Sequence, residues 1–357
     1  MNKKIIFFYN KSRDKNSFAT KCSFDDVSLL FRLIGIRIII IEQLSAKKIF
    51  NKNYDFLVLG VIDAINCFIF SIINFKKPKI YLRLRGTISD ESYYRNKSKL
   101  RWFILCILEF FSLIISNKIF VVSNNHRDLI CSRYGIRFYK KIYILPNFIW
   151  KKNLKNLIKS KDKNKQITFC YIGGISNWQN INLVIYLIKK LSKKFIESNY
   201  KVKIQIRTNM KNHKYFYEEF YEIIQKYYTE LCFDIKEIEP NKIITSLESG
   251  AYGIILRDDS IVNRISSPFK IRDYLSAGIR IIATDTIGII NQYPLLIKRG
   301  NVYLFNFNDL KCSPKKIVEE IENWIIKINT KNFDYSIVNK IFLFDNKINE
   351  FKKFINI

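Results

Sequence analysis

Residues 253–284 read GIILRDDSIVNRISSPFKIRDYLSAGIRIIAT. The apolar run Gly253–Leu256 predicts a buried strand, and the run RIIA near the end of the stretch predicts a second one. Between them, Ser267 as N-cap and Pro268 in the first turn predict a helix that begins there and ends near the Ala-Gly pair. A strand, a helix and another strand in succession are typical of a βαβ unit with parallel strands.

The same alternation extends in both directions and predicts an α/β protein. We expect two Rossmann-like, doubly wound domains that face each other across a cleft, because open parallel sheets bind ligands at the carboxyl ends of their strands. The predicted division is an N-terminal domain over residues 1–150, a lysine-rich linker over 151–166, a C-terminal domain over 167–334 and a helical segment over 335–357 that packs back toward the N-terminal domain. The predicted strands are Ile5–Tyr9, Ile36–Ile41, Phe56–Leu59, Ile80–Leu84, Ile119–Val122, Ile142–Leu145, Ile167–Ile172, Val202–Arg207, Phe233–Glu237, Gly253–Leu256, Arg280–Ala283 and Val302–Phe305.

The composition excludes a disordered chain, since 48% of the 357 residues are hydrophobic. The formal net charge of +30 is extreme, and such a charge favours nucleic acid, an anionic membrane or acidic ligands as partners. The lysines are scattered rather than clustered, so lysine that accumulated at permissive surface positions explains the charge equally well.

Cysteine and histidine offer little chemistry. The seven cysteines contain no C-x-x-C pair, and several lie in apolar runs, which favours buried free thiols in a reducing cytoplasm. With only two histidines, we expect no structural metal site. The apolar run Ile5–Tyr9 is too short for a signal peptide, so we expect a cytoplasmic protein.

The longest apolar stretch is Trp102–Ile115, which Glu109 and Ser112 interrupt. It falls short of the ~20 residues that a membrane-spanning helix needs. Two interpretations stay open: a helix buried in the core, or a helix that lies in a membrane interface between flanking cations.

The segment 266–273 has the chemistry of an anion site. Free amides and the positive end of the helix dipole would favour an anion beside Ser266 and Ser267. Lys270 in the first helical turn opposes that dipole unless an anion is bound. Asp273, one turn on, could accept hydrogen bonds from two hydroxyl groups. The alternative is an ordinary capped helix with a solvated charged face.

A second candidate is the turn after the strand Ile167–Ile172. There Gly173 and Gly174 would let a phosphate approach the backbone closely, although a lone Gly-Gly pair is weak evidence. Trp178 is either a wall of the predicted cleft or a packed anchor.

These residues resemble the family 4 glycosyltransferases, which have the GT-B fold and include many bacterial enzymes of surface polysaccharide synthesis. SPFK at 267–270 with DYLSAG at 273–278 resembles that family's S-P-x-K-x-x-E-Y-x-A-x-G segment. VVS at 121–123, YG at 134–135 and ILPN at 144–147 resemble its run into the interdomain linker, and YIGG at 171–174 its strand and turn. The resemblance covers roughly residues 79–310.

The resemblance implies roles for individual residues. It places Asp273 on the ribose of a nucleotide diphosphate sugar, and Lys270, then Arg207, then Arg257 as candidates for the diphosphate. Two departures concern the donor: aspartate replaces the family's final glutamate, and Ile265 stands where the first glutamate often contacts the donor sugar. The family's glycine-rich loop after the first strand is also missing.

The acceptor side is predicted at the end of the strand Ile80–Leu84. Arg85 and Gly86 stand where the family often has a histidine-glycine pair, and Arg85 could hold an anionic acceptor or the departing phosphate, with Asp90 and Glu91 nearby. A salt-bridge cluster at a strand end explains these four residues equally well. The histidine at position 126 falls on a predicted helix, where a lone histidine is more typically packed or solvent-facing than catalytic.

The function predicted is transfer of a hexose from a nucleotide diphosphate sugar to a hydroxyl of a cell-surface glycan or lipid-linked acceptor, such as lipopolysaccharide or capsule. We expect a retaining reaction without metal or other cofactor, in which Arg85 and Lys270 stabilise charge. We expect no specific nucleic acid, and a position in the cytoplasm or on the inner face of the plasma membrane, where an anionic surface would attract the lysines. A sugar-nucleotide epimerase on the same fold, a basic nucleic-acid-binding or membrane-binding protein and a decayed transferase stay as alternatives.

Overall fold

The computed structural model describes residues 4–8, 18–41, 54–73, 77–147, 149, 165–239 and 242–355. The chain forms two compact units: residues 1–148, 264–267 and 346–357 make up the first, and residues 149–263 and 268–345 the second. The sequence predicted consecutive segments instead, with a boundary at 150. Most of the predicted linker, 151–164, lies outside the described residues.

The first unit is built on a six-stranded parallel sheet in the order β2-β1-β3-β4-β5-β6. Its central strands are buried along nearly their whole length, as a sheet between two layers of helices requires. Each strand predicted in this half is present, with ends displaced by no more than one residue. The strands are β1 (Lys4–Phe8), β2 (Arg37–Ile41), β3 (Asp55–Val58), β4 (Ile80–Arg83), β5 (Lys118–Val121) and β6 (Ile142–Ile144).

Among the described residues of this unit, five α-helices lie between the strands. They are α1 (Phe18–Leu33), α2 (Val61–Ile73), α3 (Ile88–Asn96), α4 (Lys99–Ile115) and α5 (Asn124–Tyr134). The longest of them, α4, includes the whole apolar stretch Trp102–Ile115. The Ser98 hydroxyl caps its start by accepting from the Arg101 amide at 3.3 Å, and the Lys141 ammonium caps its end by donating to the carbonyl groups of Ile114 and Ser116.

The second unit has a six-stranded parallel sheet in the order β12-β11-β10-β7-β8-β9. Relative to its first strand, β7, this is the strand order of the dinucleotide-binding folds, and the direction of winding reverses between β7 and β10. The predicted strands of this half are present within two residues. They are β7 (Gln166–Ile172), β8 (Lys201–Arg207), β9 (Leu231–Lys236), β10 (Tyr252–Ile255), β11 (Arg280–Thr284) and β12 (Val302–Phe305).

The long helices of the second unit, such as α6, bury an apolar face. In α6 the buried positions include Val184, Ile185, Ile188 and Leu191, a spacing of three and four residues that lines one side of a helix. The helices are α6 (Ile181–Glu197), α7 (His213–Lys226), α8 (Ile243–Ser246), α9 (Ile261–Arg264), α10 (Phe269–Ser276), α11 (Gly288–Asn291), α12 (Pro294–Lys298), α13 (Phe307–Cys312), α14 (Pro314–Asn329) and α15 (Tyr335–Phe342).

The last helix, α16 (Ile348–Ile355), belongs to the first unit. Its Phe351 ring lies 5.5 Å from the rings of both Phe31 and Tyr143, in edge-to-face contacts. Such pairs contribute about 0.5–1.5 kcal/mol beyond the area they bury, so the C-terminal residues are part of this core.

The six described cysteines are free. Cys170 is buried, as its apolar run predicted, and so is Cys67; Cys106, in a second apolar run, is half-buried, and Cys232 and Cys312 are exposed.

Gly253 in β10 leaves room for the ring of Tyr274. A Cβ at this position would lie 2.7 Å from two carbons of that ring. The ring cannot move aside easily, because the Tyr274 hydroxyl accepts from the Ile172 amide at 3.0 Å and donates to the Cys170 carbonyl at 3.2 Å. We expect Gly253→Ala to lower the free energy of unfolding by about 1–3 kcal/mol, the usual cost of overpacking a core.

Chemical denaturation would measure this loss. Gly174→Ala is the control, since a Cβ there meets its nearest neighbour at 3.6 Å, an ordinary contact. Equal losses in the two variants would contradict the packing argument.

Candidate functional site

The second sheet brings two loops together at the point where its winding reverses. The neighbours β7 and β10 are parallel, with Phe169 opposite Tyr252. Their carboxyl ends therefore lie side by side, one leading into Gly173 and the other into Arg257. Open α/β sheets bind ligands at such a position.

Gly173 permits a close approach that another residue would block. Its φ of +126° is rarely adopted by residues with a side chain, and a Cβ there would lie 2.9 Å from the Lys270 ammonium nitrogen. Its amide donates to the carbonyl of Arg207 at 2.9 Å. The glycine thus lets the ammonium group of Lys270 lie directly against the backbone of the loop.

Lys270 is the second residue of α10, and three groups enclose its ammonium. It donates to Gln179 Oε1 at 2.5 Å, lies 4.1 Å from the centre of the Tyr171 ring and touches Gly173. Burial lowers the pKa of Lys270 well below its usual value, and the nearby charge of Arg257 lowers it further. Among the described residues, no carboxylate forms an ion pair with Lys270, so an anion would relieve both effects.

Arg257 supplies the second positive charge of the site. The residue is 8% exposed, and its Nη1 donates to the carbonyl of Trp178 at 2.7 Å. The hydroxyls of Thr284 and Thr286 donate to its own carbonyl. Trp178 therefore meets this site through its backbone, and its predicted role as a wall stays a prediction.

Gln179 is the site residue that the sequence did not reveal. Besides Lys270, its Oε1 lies 2.6 Å from the Tyr171 hydroxyl, which also lies 2.6 Å from the Gly174 carbonyl. The only signal in the sequence is its place shortly after the glycine pair.

A cavity of about 350 Å³ lies next to the glycine loop, and one of its lining residues, Ile175, directly follows Gly174. Its volume is within the range of small-molecule sites. It is lined by Ile175, Asn180, Ile181, Asn182, Leu183 and Tyr215.

Arg207 was predicted to bind the diphosphate, but its guanidinium is engaged elsewhere. Its Nη2 donates to Asp234 at 2.8 Å, and the group also donates to the carbonyl groups of Asp234 and Ser246. Burial would raise the pKa of Asp234, yet hydrogen bonding to Arg207 overrides this and lowers it to about 2. This ion pair weighs against the predicted role.

Asp273, predicted on the ribose, is only 2% exposed. Its Oδ1 accepts from Nε and Nη2 of Arg272 at 3.0 and 2.9 Å. Burial and this ion pair weigh against a ribose contact, and the role of Asp273 stays a prediction.

Ser267 does not cap α10, which corrects the prediction. Pro268 holds the N-cap position, with no side-chain cap. Ser267 instead interacts with Asn147, whose amide nitrogen lies 3.4 Å from the Ser267 hydroxyl and whose side chain donates to the Ser267 carbonyl.

The rest of the segment 264–267 is also held within the first unit. The Ser123 hydroxyl donates to the carbonyl of Ile265 at 2.7 Å, and the Asn125 side chain to that of Arg264 at 2.9 Å. Ser266 belongs to the same segment and has further interactions of its own. The predicted donor residues Ser266 and Ser267 therefore belong to the first unit, whereas Lys270 belongs to the second.

Asp90, predicted on the acceptor side, is the centre of a buried hydrogen-bond network. It accepts from Arg133 at 2.8 and 3.0 Å, from Thr87 at 2.6 Å and from the indole of Trp102 at 3.0 Å. The salt-bridge interpretation is therefore correct for this residue. Burial would raise the pKa of Asp90, but these donors lower it.

Glu91 and Gly86 lie in contact at the start of α3. A Cβ on Gly86 would clash with Glu91 Oε1, and the other carboxylate oxygen of Glu91 is 3.4 Å from Arg95. Burial raises the pKa of Glu91. Arg85 is half-buried beside this pair, and its acceptor role stays a prediction.

His126 is fully buried, and both ring nitrogens are without a partner among the described residues. Burial lowers its pKa to about 3, and the charge of Arg83 contributes. The imidazole is thus packed and neutral, as the sequence suggested, and it is poorly suited to proton transfer near pH 7.

No group of three or more possible metal ligands is present among the described residues. None of the described helices is both long and apolar enough to cross a membrane.

Comparison with known proteins gives a likeness in fold alone. No protein-family model and no curated protein sequence matches the chain. Among solved structures, Alr3699/HepE of Anabaena, in complex with UDP and glucose, is 12% identical with a TM-score of 0.64, covering 99% of both chains. The lipopolysaccharide outer core galactosyltransferase WaaB is 11% identical with a TM-score of 0.61, also over 99% of both chains.

Sucrose-phosphate synthase from Thermosynechococcus elongatus is similar to the same degree. It is 9% identical with a TM-score of 0.64, over 99% of this chain and 98% of that one. The predicted fold is confirmed: the chain has the α/β architecture of the GT-B glycosyltransferases.

Proposed function

We propose that the chain is a glycosyltransferase that uses a nucleotide diphosphate sugar as donor. The observation that carries this proposal is the meeting of Gly173, Lys270 and Arg257 at the winding reversal of the second sheet. The solved structures of the same fold support it, since the Anabaena protein was crystallised with UDP and glucose.

The two cations explain how such a site would act. When the bond between the sugar and the diphosphate breaks, negative charge develops on the leaving oxygen. Lys270 and Arg257 are held beside the glycine loop before the reaction, so they would stabilise that charge without reorganisation. We propose that these side chains take the place of a metal ion.

The acceptor would be a hydroxyl on a cell-surface glycan or a lipid-linked sugar. Its oxygen forms the new bond to the anomeric carbon, and its proton leaves on the departing diphosphate, so no strong general base is needed. We propose retention of configuration, a hexose donor and action at the inner face of the plasma membrane. The lipopolysaccharide outer core galactosyltransferase of the same fold supports only the hexose donor and the glycan acceptor in this proposal.

An epimerase on this fold is less well supported. Epimerisation needs acid and base groups beside the sugar, whereas His126 is neutral and buried, and the carboxylates Asp90 and Asp273 are ion-paired.

A thermal-shift panel of UDP, ADP, GDP and TDP sugars tests the proposal. A ligand that binds the folded state stabilises it by mass action, by about 2.7 kcal/mol at a concentration 100 times its Kd. We expect one base to raise the melting temperature by several degrees, with hydrolysis or transfer of its sugar then measured by nucleotide release. If no member of the panel shifts the melting temperature, the proposed donor site is wrong.

A further inference from the structure

One face of α4 exposes an apolar stripe along its whole length. Large side chains recur every three or four residues, which places them on one side of the helix. The exposed fractions run from 39% to 72%. The stripe consists of Leu100, Phe103, Ile104, Ile107, Phe111 and Ile114.

The neighbouring helix α2 widens this stripe. Its last two turns expose Ile69, Ile72 and Ile73 by 49%, 56% and 69%. The helices are joined at Phe68 and Phe111, whose rings meet edge to face at 5.7 Å. Nine exposed apolar side chains on two packed helices thus form what we term the α2–α4 surface, and contiguous patches of this kind mark interaction sites.

The exposed charges on α4 and just beyond its ends have one sign. The only acidic residue of α4, Glu109, points inward: it is 4% exposed and accepts from Ser89 and from the Tyr134 hydroxyl. Lys99 and Arg101 are exposed on either side of Leu100, each about 100° around the helix from it.

Further cations lie beyond both ends of the stripe. Lys97 is exposed just before α4, with its ammonium 5.0 Å from the centre of the Tyr94 ring. Beyond the other end, Lys140 is exposed and Lys141 binds the last carbonyl groups of the helix. An apolar stripe bordered by cations complements a bilayer interface with anionic headgroups.

We propose that the α2–α4 surface docks the first unit onto an anionic phospholipid bilayer, with α4 lying in the plane of the interface. A second copy of the chain fits less well, because a two-fold interface would bring the same cations together. The proposal goes beyond the donor site and does not depend on it, since every residue that it uses belongs to the first unit.

Flotation of the full chain with phospholipid vesicles tests this. We expect binding to vesicles that contain phosphatidylglycerol, weaker binding to pure phosphatidylcholine, and a loss of the difference as salt rises from about 0.1 M to about 1 M. Failure to bind phosphatidylglycerol vesicles at low salt would overturn the proposal.

Matched variants distinguish vesicle binding through the α2–α4 surface from nonspecific attraction by the positive net charge of the chain. Ile104→Gln/Ile107→Gln should weaken vesicle binding about tenfold or more, whereas Ile326→Gln, equally exposed on α14 in the second unit, should not. Lys99→Gln/Arg101→Gln should weaken binding to anionic vesicles by a similar factor. Its control is Lys315→Gln/Lys316→Gln, also on α14.

Two outcomes would assign the surface differently. Equal losses in the test and control variants would show generic attraction of a polycation. A concentration-dependent dimer that Ile104→Gln/Ile107→Gln disrupts, without vesicle binding by the parent chain, would assign the surface to a second copy. Because the altered side chains are exposed, circular dichroism should show an unchanged fold.

Discussion

Replacing Lys270 with methionine should raise the melting temperature of the free protein and abolish its stabilisation by nucleoside diphosphates. Both effects have one cause. The ammonium is enclosed by Gln179, Tyr171 and Gly173 and lies near Arg257, and this environment holds its pKa well below the usual value. The charge therefore opposes folding until an anion is bound, as is common for functional groups.

The expected magnitudes are measurable. A hydrogen bond to a charged group contributes about 1.5–3 kcal/mol, so Lys270→Met should weaken binding of the diphosphate about 10- to 100-fold. Loss of a preorganised charge at a leaving group commonly lowers kcat by about 10²–10³. Each kcal/mol by which removal of the buried charge stabilises the free protein should raise the melting temperature by about 2–4 °C. Calorimetry with the nucleoside diphosphate identified by the panel would measure affinity and stability together.

The pH dependence provides an independent signature. Because the folded-state pKa of Lys270 is lowered, the ammonium loses its proton at a pH where the unfolded chain still keeps it. As pH rises through that lowered pKa, affinity for the diphosphate should fall, while the free energy of unfolding should increase because the unfolded state binds more protons. Lys270→Arg keeps its charge at all these pH values and should remove the alkaline loss of affinity.

A purely structural lysine would behave in the opposite way. If the contacts of Lys270 with Gln179 and Tyr171 stabilise the fold, Lys270→Met should lower the melting temperature and leave the ligand-induced shift intact. That result would refute the proposed role.

The strands could be predicted because their signal is local. Runs such as RIIII at 37–41 and RIIAT at 280–284 are long enough and sufficiently β-branched to identify a strand without tertiary information, although only the second of these strands is buried along its whole length. The order of the strands is not local, and neither is the winding reversal that brings Gly173 beside Arg257. A resemblance to a known fold could suggest it, but periodicity could not.

The site was predicted less completely, since a sequence does not show which charges are paired. Asp90 and Asp273 looked like ligand-binding carboxylates, but Arg133 and Arg272 bind them. The first partner is 43 residues away in the chain. Lys270 stands out because its first-turn position is unfavourable for a cation, yet its partner Gln179 is 91 residues away. The unfavourable position of a lysine in a first helical turn can be seen in the local sequence, whereas the distant partner that binds its side chain cannot.

The second large effect concerns the two glycines after β7. We expect Gly173 to be required for diphosphate binding and Gly174 to be replaceable. Gly173→Ala would introduce a side chain at a φ of +126° and place its Cβ 2.9 Å from the Lys270 ammonium. Lysine is flexible, so its ammonium would be displaced rather than the backbone. We expect Gly173→Ala to weaken diphosphate binding about as much as Lys270→Met, and Gly174→Ala to leave binding nearly unchanged.

A double-mutant cycle identifies the cause. If Gly173 matters because it lets the ammonium approach the loop, Gly173→Ala should have little further effect on affinity in the Lys270→Met background, so the two losses should be strongly non-additive. Additive losses would show that the alanine acts through the backbone conformation alone. Equal effects of Gly173→Ala and Gly174→Ala would contradict both explanations, since only Gly173 combines a positive φ with contact to Lys270.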